Sequence, residues 1–254
     1  MTISLGILGT YETGLFNKGA ALASAHDPLS QRLFVVNGST KAIDVLSLSD
    51  PDAPFLLFSI DVTPFGSRPS SVAVSSTGTV AVAVNGPTPQ AAGTVALFDV
   101  TGNLLGTAQV GATPRSLTFT PDGNRLLVAN AGEPSSNYAV DPVGSVSIVD
   151  LANGPGAATV QSVGFAAFDP QQASLTASGV RIVGPGATVS QDLEPESITI
   201  SDDALKAYIT LQENNAVAVL DLATATITEI LPLGTKDHSL PGNEIDPSND
   251  GEVN

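Results

Sequence analysis

The sequence predicts an all-β fold, a β-propeller of four-stranded antiparallel blades. Three observations carry that reading. A hairpin pattern recurs four times along the 254 residues. Each hairpin is followed by a third apolar strand and then a shorter fourth one. No stretch of useful length carries the 3.6-residue period of an amphipathic helix, so no helix is expected. Repeats of this size bury a continuous core only by stacking, because one unit cannot hide its own apolar face. A β-sandwich accounts for the strands but not for a repeated four-strand unit.

The hairpins begin at Leu22 (LASAHDPLSQRLFVVN), Ser70 (SSVAVSSTGTVAVAVN), Arg115 (RSLTFTPDGNRLLVAN) and Glu196 (ESITISDDALKAYITL). Their turns, HDPLSQ, SSTG, PDGN and SDDA, are rich in residues whose side chains bond local backbone or which tolerate unusual φ. The third strands are AIDVLSL, TVALFDV, SVSIVDL and AVAVLDL, and LLGTAQV and ITEILPL illustrate the fourth. The first repeats recur about every 45 residues, a usual blade length. Blades are expected over 20–62, 68–111, 113–165 and 195–234, with an insertion over 166–194. Four blades fall short of a ring of about seven, so 1–254 reads as a single propeller domain or part of a larger propeller. The segment ISLGILGT at 3–10 has no hairpin partner and is expected to be the outer strand of a blade completed elsewhere. The resulting open edge would pair with a protein partner, a second copy, or a C-terminal half outside this chain.

Composition narrows the function. A formal charge of −16, from 25 acidic and 9 basic residues, excludes a nucleic-acid binder, which needs basic patches for phosphate. The same charge attracts cations. With no cysteine there is no disulfide framework and no thiolate chemistry. No apolar run reaches the length of a membrane span. The amino-terminal residues lack the basic and apolar regions of a signal peptide.

Longer motifs carry a family resemblance. LGTYETG at 8–14, NAGEPSSNYAVDPVGSVSIVDL at 130–151, GVRIVGPGATVSQDLEPES at 179–197, LQENNAVAVLDL at 211–222 and GTKDHSLPGNEID at 234–246 follow one another in this order. Together they resemble the bacterial choice-of-anchor I domain, which is similar to mesenchyme-specific cell-surface glycoproteins. The repeats also resemble those of YVTN-type propellers. The resemblance implies an extracellular or cell-surface propeller in a protein about twice this length. Some members are joined to metallophosphatase or nuclease modules, and many are named alkaline phosphatase for that reason. The sequence departs from the family pattern at Leu22, where a Glu is usual, and at Ser197, where a Tyr is usual.

Propeller geometry selects the candidate site. In a meander blade the loop leading into the first strand shares a face with the loop between strands two and three. Leu22, Ser70, Arg115 and Glu196 therefore occupy equivalent places around one channel mouth, three of them one residue after a proline. The loops between strands two and three add Glu133, Asp141 and Glu213. The insertion adds Arg181, Asp192 and Glu194, and the last loop adds Asp237 and His238. Ser70, Arg115, Arg181, Glu196 and His238 are the candidate ligand-binding residues. Glu133, Glu194, Glu196, Glu213 and Asp237 are the candidate metal ligands, since hard oxygen donors on loops suit Ca²⁺. A second candidate lies in the tail, where Asp246, Ser248, Asp250 and Gly251 fit the first six places of an EF-hand-like loop. Asp99, Asp150 and Asp221 recur at third-strand ends and read as structural hydrogen bonders. Two functions follow: a binding or structural surface propeller that holds cations, or a metal-dependent phosphoric ester hydrolase or its accessory domain. With only two histidines the first is favoured, because a metallophosphatase centre calls for a dense His/Asp cluster.

Overall fold

The computed structural model describes residues 6–245. Its strands form four sheets, each four-stranded and antiparallel, with the strands of each sheet side by side in chain order. The first holds β1 (Ser24–Asp27), β2 (Arg32–Asn37), β3 (Ala42–Ser47) and β4 (Phe55–Asp61). The second holds β5 (Arg68–Val74), β6 (Thr79–Asn85), β7 (Ala92–Asp99) and β8 (Leu104–Ala112). The third holds β9 (Pro114–Phe119), β10 (Arg125–Asn130), β11 (Ser145–Asp150) and β12 (Thr159–Gly164). The fourth holds β13 (Ser197–Ile200), β14 (Lys206–Leu211), β15 (Ala216–Asp221) and β16 (Thr226–Pro232). These are the blades that the sequence repeats predict.

Strand alternation puts neighbouring residues on opposite faces, and both faces of the inner blades are apolar. Phe34, Val36, Ile43 and Val45 of the first blade meet Val80, Val82 and Val84 of the second. Ala81, Ala83, Val95 and Leu97 on the other face of the second blade meet Leu126, Val128 and Val149 of the third. Leu127, Ala129, Val146 and Ile148 then meet Ala207, Ile209 and Leu211 of the fourth. The core is thus a series of slabs between sheets. Each large side chain fully buried in a slab contributes about 1.5–3 kcal/mol.

Two glycines set how closely successive blades approach. A Cβ on Gly93 would lie 2.7 Å from the Pro114 ring, and one on Gly144 would lie 1.9 Å from the Leu193 carbonyl oxygen and 2.8 Å from the Pro195 ring. In both cases a glycine at or just before the start of a third strand admits the proline that leads into the next blade. This packing holds the mouth loops in fixed positions.

The insertion differs from the expectation. It contains helix α1 (Gln172–Ser178) and a single turn of helix, α2 (Val189–Asp192). Helix α1 buries only Leu175, so no apolar period is visible in its sequence. The turn α2 is closed by a capping box, in which the Thr188 side chain accepts from the Gln191 backbone and Gln191 from that of Thr188. Phe168, Leu175, Val180, Val189 and Leu193 extend the slab between the third and fourth blades. The expected amino-terminal strand is also absent over residues 6–10, and residues 3–5 lie outside the described part. With no strand beside it, this segment runs irregularly past Pro51 and Pro54, which crowd Gly9. Among the described residues no helix is long and apolar enough to cross a membrane.

Candidate functional site

The site is built on a backbone irregularity shared by all four blades. The β5–β6 register skips between Pro69 and Ser71, and the β9–β10 register skips between Pro114 and Ser116. Ser70 and Arg115 are therefore bulged residues. In the first blade Leu22 N–H donates to the Val36 carbonyl, while Val36 N–H donates to that of Ala23. In the fourth blade Glu196 N–H donates to the Thr210 carbonyl, and Ser197 is also opposite Thr210. A bulge bends its strand and redirects one side chain. Leu22, Ser70, Arg115 and Glu196 accordingly line one recess of about 270 Å³, together with Arg68 and Asn85.

At the third and fourth blades the recess becomes a charge cluster. The Arg115 guanidinium pairs with Glu133 through Nη2. Its Nε lies 3.5 Å from Oε1 of Glu196. Carboxylate oxygens of Glu133, Glu194 and Glu196 all lie within 4.8 Å of one another. Glu194 and Glu196 flank Pro195 on the way into β13, and this run is held by Asn214, which is 2% exposed. The Asn214 amide accepts from Glu194 N–H at 3.2 Å and donates to the Asp192 and Arg181 carbonyls at 2.8 and 2.9 Å.

One guanidinium does not neutralise three carboxylates. Burial pushes the Glu194 carboxyl up to about 7, with Glu213, Glu196 and Asp192 adding to the rise and Arg115 opposing it. Burial also raises Glu196, against the pull of Arg115 and with a push from Glu213. A smaller recess of about 70 Å³ adjoins through Glu194 and includes Asp141, Asp192, Glu213 and Asn214. Asp141 is raised by burial and then by Asp192.

The structure brings Ser70, Arg115, Glu133, Glu194 and Glu196 together and places Glu213 beside them. Some expected roles change. The Ser70 hydroxyl donates to the Pro114 carbonyl at 2.5 Å, so its proton staples the second blade to the third. Arg181 lines neither recess, and its backbone, not its guanidinium, takes part by bonding Asn214. Asp192 accepts from the Val183 and Gly184 N–H groups, holding the insertion loop. Asp237 and His238 also line neither recess. They sit in an exposed turn, where Asp237 accepts from Ser239 and the His238 ring bonds the Asn243 carbonyl. Asp246, Ser248 and Asp250 lie outside the described residues. Asp99, Asp150 and Asp221 each accept backbone N–H groups just beyond their own strand. Arg68, Asn85 and Asn214 were not foreseen. Asn85 ends its strand as Asn37 and Asn130 end theirs, and that recurrence was the available signal.

Stacked four-stranded meanders whose loops converge on a common mouth define a β-propeller-type domain. The choice-of-anchor I domain family matches residues 23–254, and the chain belongs to that family. No curated protein sequence matches it. Among solved structures it is similar to a functionally unknown protein from Desulfotomaculum acetoxidans, with 12% identity, 84% of this chain covered and a TM-score of 0.58. It is also similar to a chain of the nidogen/laminin complex, with 16% identity, 82% covered and a TM-score of 0.50. These likenesses concern the fold. The chain spans 57% and 62% of the lengths of those two chains.

Proposed function

We propose that this is an extracellular or cell-surface binding module whose channel mouth holds a hard divalent cation, Ca²⁺ by preference. The observation that carries the reading is the convergence of Glu133, Glu194 and Glu196 oxygens within 4.8 Å, on rigid loops from two blades. The donors are all carboxylate oxygens, the ligands that Ca²⁺ takes at about 2.3–2.6 Å. Arg115 balances part of the charge, and Glu194 is raised by burial first and then by the neighbouring carboxylates. A cation there would draw the proton off Glu194 and share Glu133 and Glu196 with the guanidinium. Membership of the choice-of-anchor I family supports a surface-associated placement.

Thermal unfolding with Ca²⁺ against chelator tests the reading. A ligand bound only by the folded state raises the melting temperature by mass action. Calcium should raise it in the unmodified chain and less in Glu196→Gln. Asp122→Asn, in the β9–β10 turn, should leave the shift intact. An unmodified chain that shows no shift would leave the mouth without a cation.

A further inference from the structure

The mouth carries opposite charge on its two sides, and the blade repeat locates the asymmetry. Two residues before Leu22, Ser70, Arg115 and Glu196 stand Ala20, Arg68, Thr113 and Glu194. Arg68 of the second blade is thus the counterpart of Glu194 in the fourth. Ala20 and Thr113 are buried, whereas Arg68 is exposed at the start of β5. The recess of about 270 Å³ reaches from Arg68 to Glu196, so it is basic at the second blade and acidic at the fourth.

Its two arginines differ in how they are engaged. Arg115 is held by Glu133 and Glu196, while Arg68 belongs to no ion pair among the described residues. The first blade fixes where Arg68 lies. A Cβ on Gly38 would stand 2.7 Å from the Leu22 side chain and 3.4 Å from Arg68 Nε, so the missing side chain leaves both of them room over the loop between β2 and β3. Across the β5–β6 pair Arg68 is opposite Asn85, another wall of the recess. The Asn85 amide oxygen is buried and accepts no hydrogen bond among the described residues. Such an orphan calls for a donor from outside them.

From this we infer that the recess takes a small hydroxylated carboxylate, the chemistry of a uronic acid. Its carboxylate sits on Arg68 and its hydroxyls face the cation at Glu133, Glu194 and Glu196, so the inference rests on the cation reading above. A guanidinium fork matches a carboxylate through two parallel hydrogen bonds. Ca²⁺ takes about 6–8 oxygens, and the three glutamates leave places in that shell for hydroxyl oxygens. One unpaired guanidinium beside those glutamates favours a single negative charge over the double charge of a phosphate ester, because like charges repel. The volume is at the small end for ligand sites and suits one sugar-sized molecule.

Calorimetric titration at saturating calcium and in chelator tests the inference. The probes are glucuronate, glucose as its uncharged analogue and glucose 6-phosphate as a dianion. Glucuronate in calcium should bind about tenfold more tightly than the other two, and it should weaken in chelator. Arg68→Gln should lower its affinity about tenfold, and Arg68→Lys, which keeps the charge without the fork, should lower it less. Both variants should keep the circular dichroism spectrum of the unmodified chain. If calcium gives no thermal shift, the cation reading and this inference fall together. A calcium shift without glucuronate binding would overturn this inference alone. So would tighter binding of glucose 6-phosphate, or glucuronate binding indifferent to Arg68→Gln or to chelator.

Discussion

Replacing Glu194 by Gln should stabilise the protein above neutral pH. The carboxyl moves from 4.5 to about 7 on folding, chiefly through burial and the neighbouring carboxylates. A raised carboxyl favours the folded state while it holds its proton, and that advantage disappears as pH rises from about 4.5 through 7. Above that range the ionised group opposes folding. At about 1.36 kcal/mol per pKa unit the shift corresponds to about 3 kcal/mol. Glu194 is only partly buried, and solvent screening brings the expected effect down to about 1 kcal/mol. For a domain of this size that is a rise of about 2–4 °C in melting temperature. The assay is thermal unfolding in chelator at pH 8 and pH 5, with Glu194→Gln beside the unmodified chain. The gain should appear at pH 8 and shrink to a fraction of that at pH 5. An equal change at both values, or a loss of stability at pH 8, would refute the electrostatic account of the mouth.

Other perturbations read other parts of the account. Arg115→Met leaves Glu133 and Glu196 without their counter-charge and should cost about 1–2 kcal/mol at pH 8 in denaturant unfolding. The loss should be smaller at pH 5, where the raised Glu196 is partly protonated. Gly144→Ala drives a Cβ against the Leu193 carbonyl and should cost about 1–3 kcal/mol by overpacking. Limited proteolysis within 166–194 should accelerate with it. Asp99 is held down to about 2 by hydrogen bonds from Thr101 and Asn103. Asp99→Asn should cost about 1 kcal/mol at pH 7, a difference that vanishes as pH falls from about 4 through 2 in urea titrations.

The blades were legible because a half-buried or fully buried strand leaves a period-two or continuous apolar trace, and four such traces lined up. The mouth was legible for a related reason. Equivalent positions in a repeat stay equivalent in space, so Arg115 and Glu196 could be brought together from their place after proline. What escaped lacked such periodicity. Helix α1 buries one residue, and one residue has no period. The bulges at Ser70 and Arg115 depend on which partner residue is skipped, a matter of pairing between strands. Asn214 is polar in sequence and buried in the fold because the insertion folds over it, a long-range contact that local pattern does not encode. His238 and Asp237 were placed at the mouth by loop order alone, and their turn instead closes on itself through Ser239 and Asn243.

Calorimetric titration of Ca²⁺ at pH 7, in two buffers of different ionisation enthalpy, tests the claim at the mouth most directly. A carboxyl with a pKa of about 7 is half protonated there. Binding at Glu133, Glu194 and Glu196 should therefore release roughly half a proton per ion, and the release should vanish in Glu194→Gln. No binding heat at saturating calcium, or binding with no proton release and no response to Glu194→Gln, would contradict it.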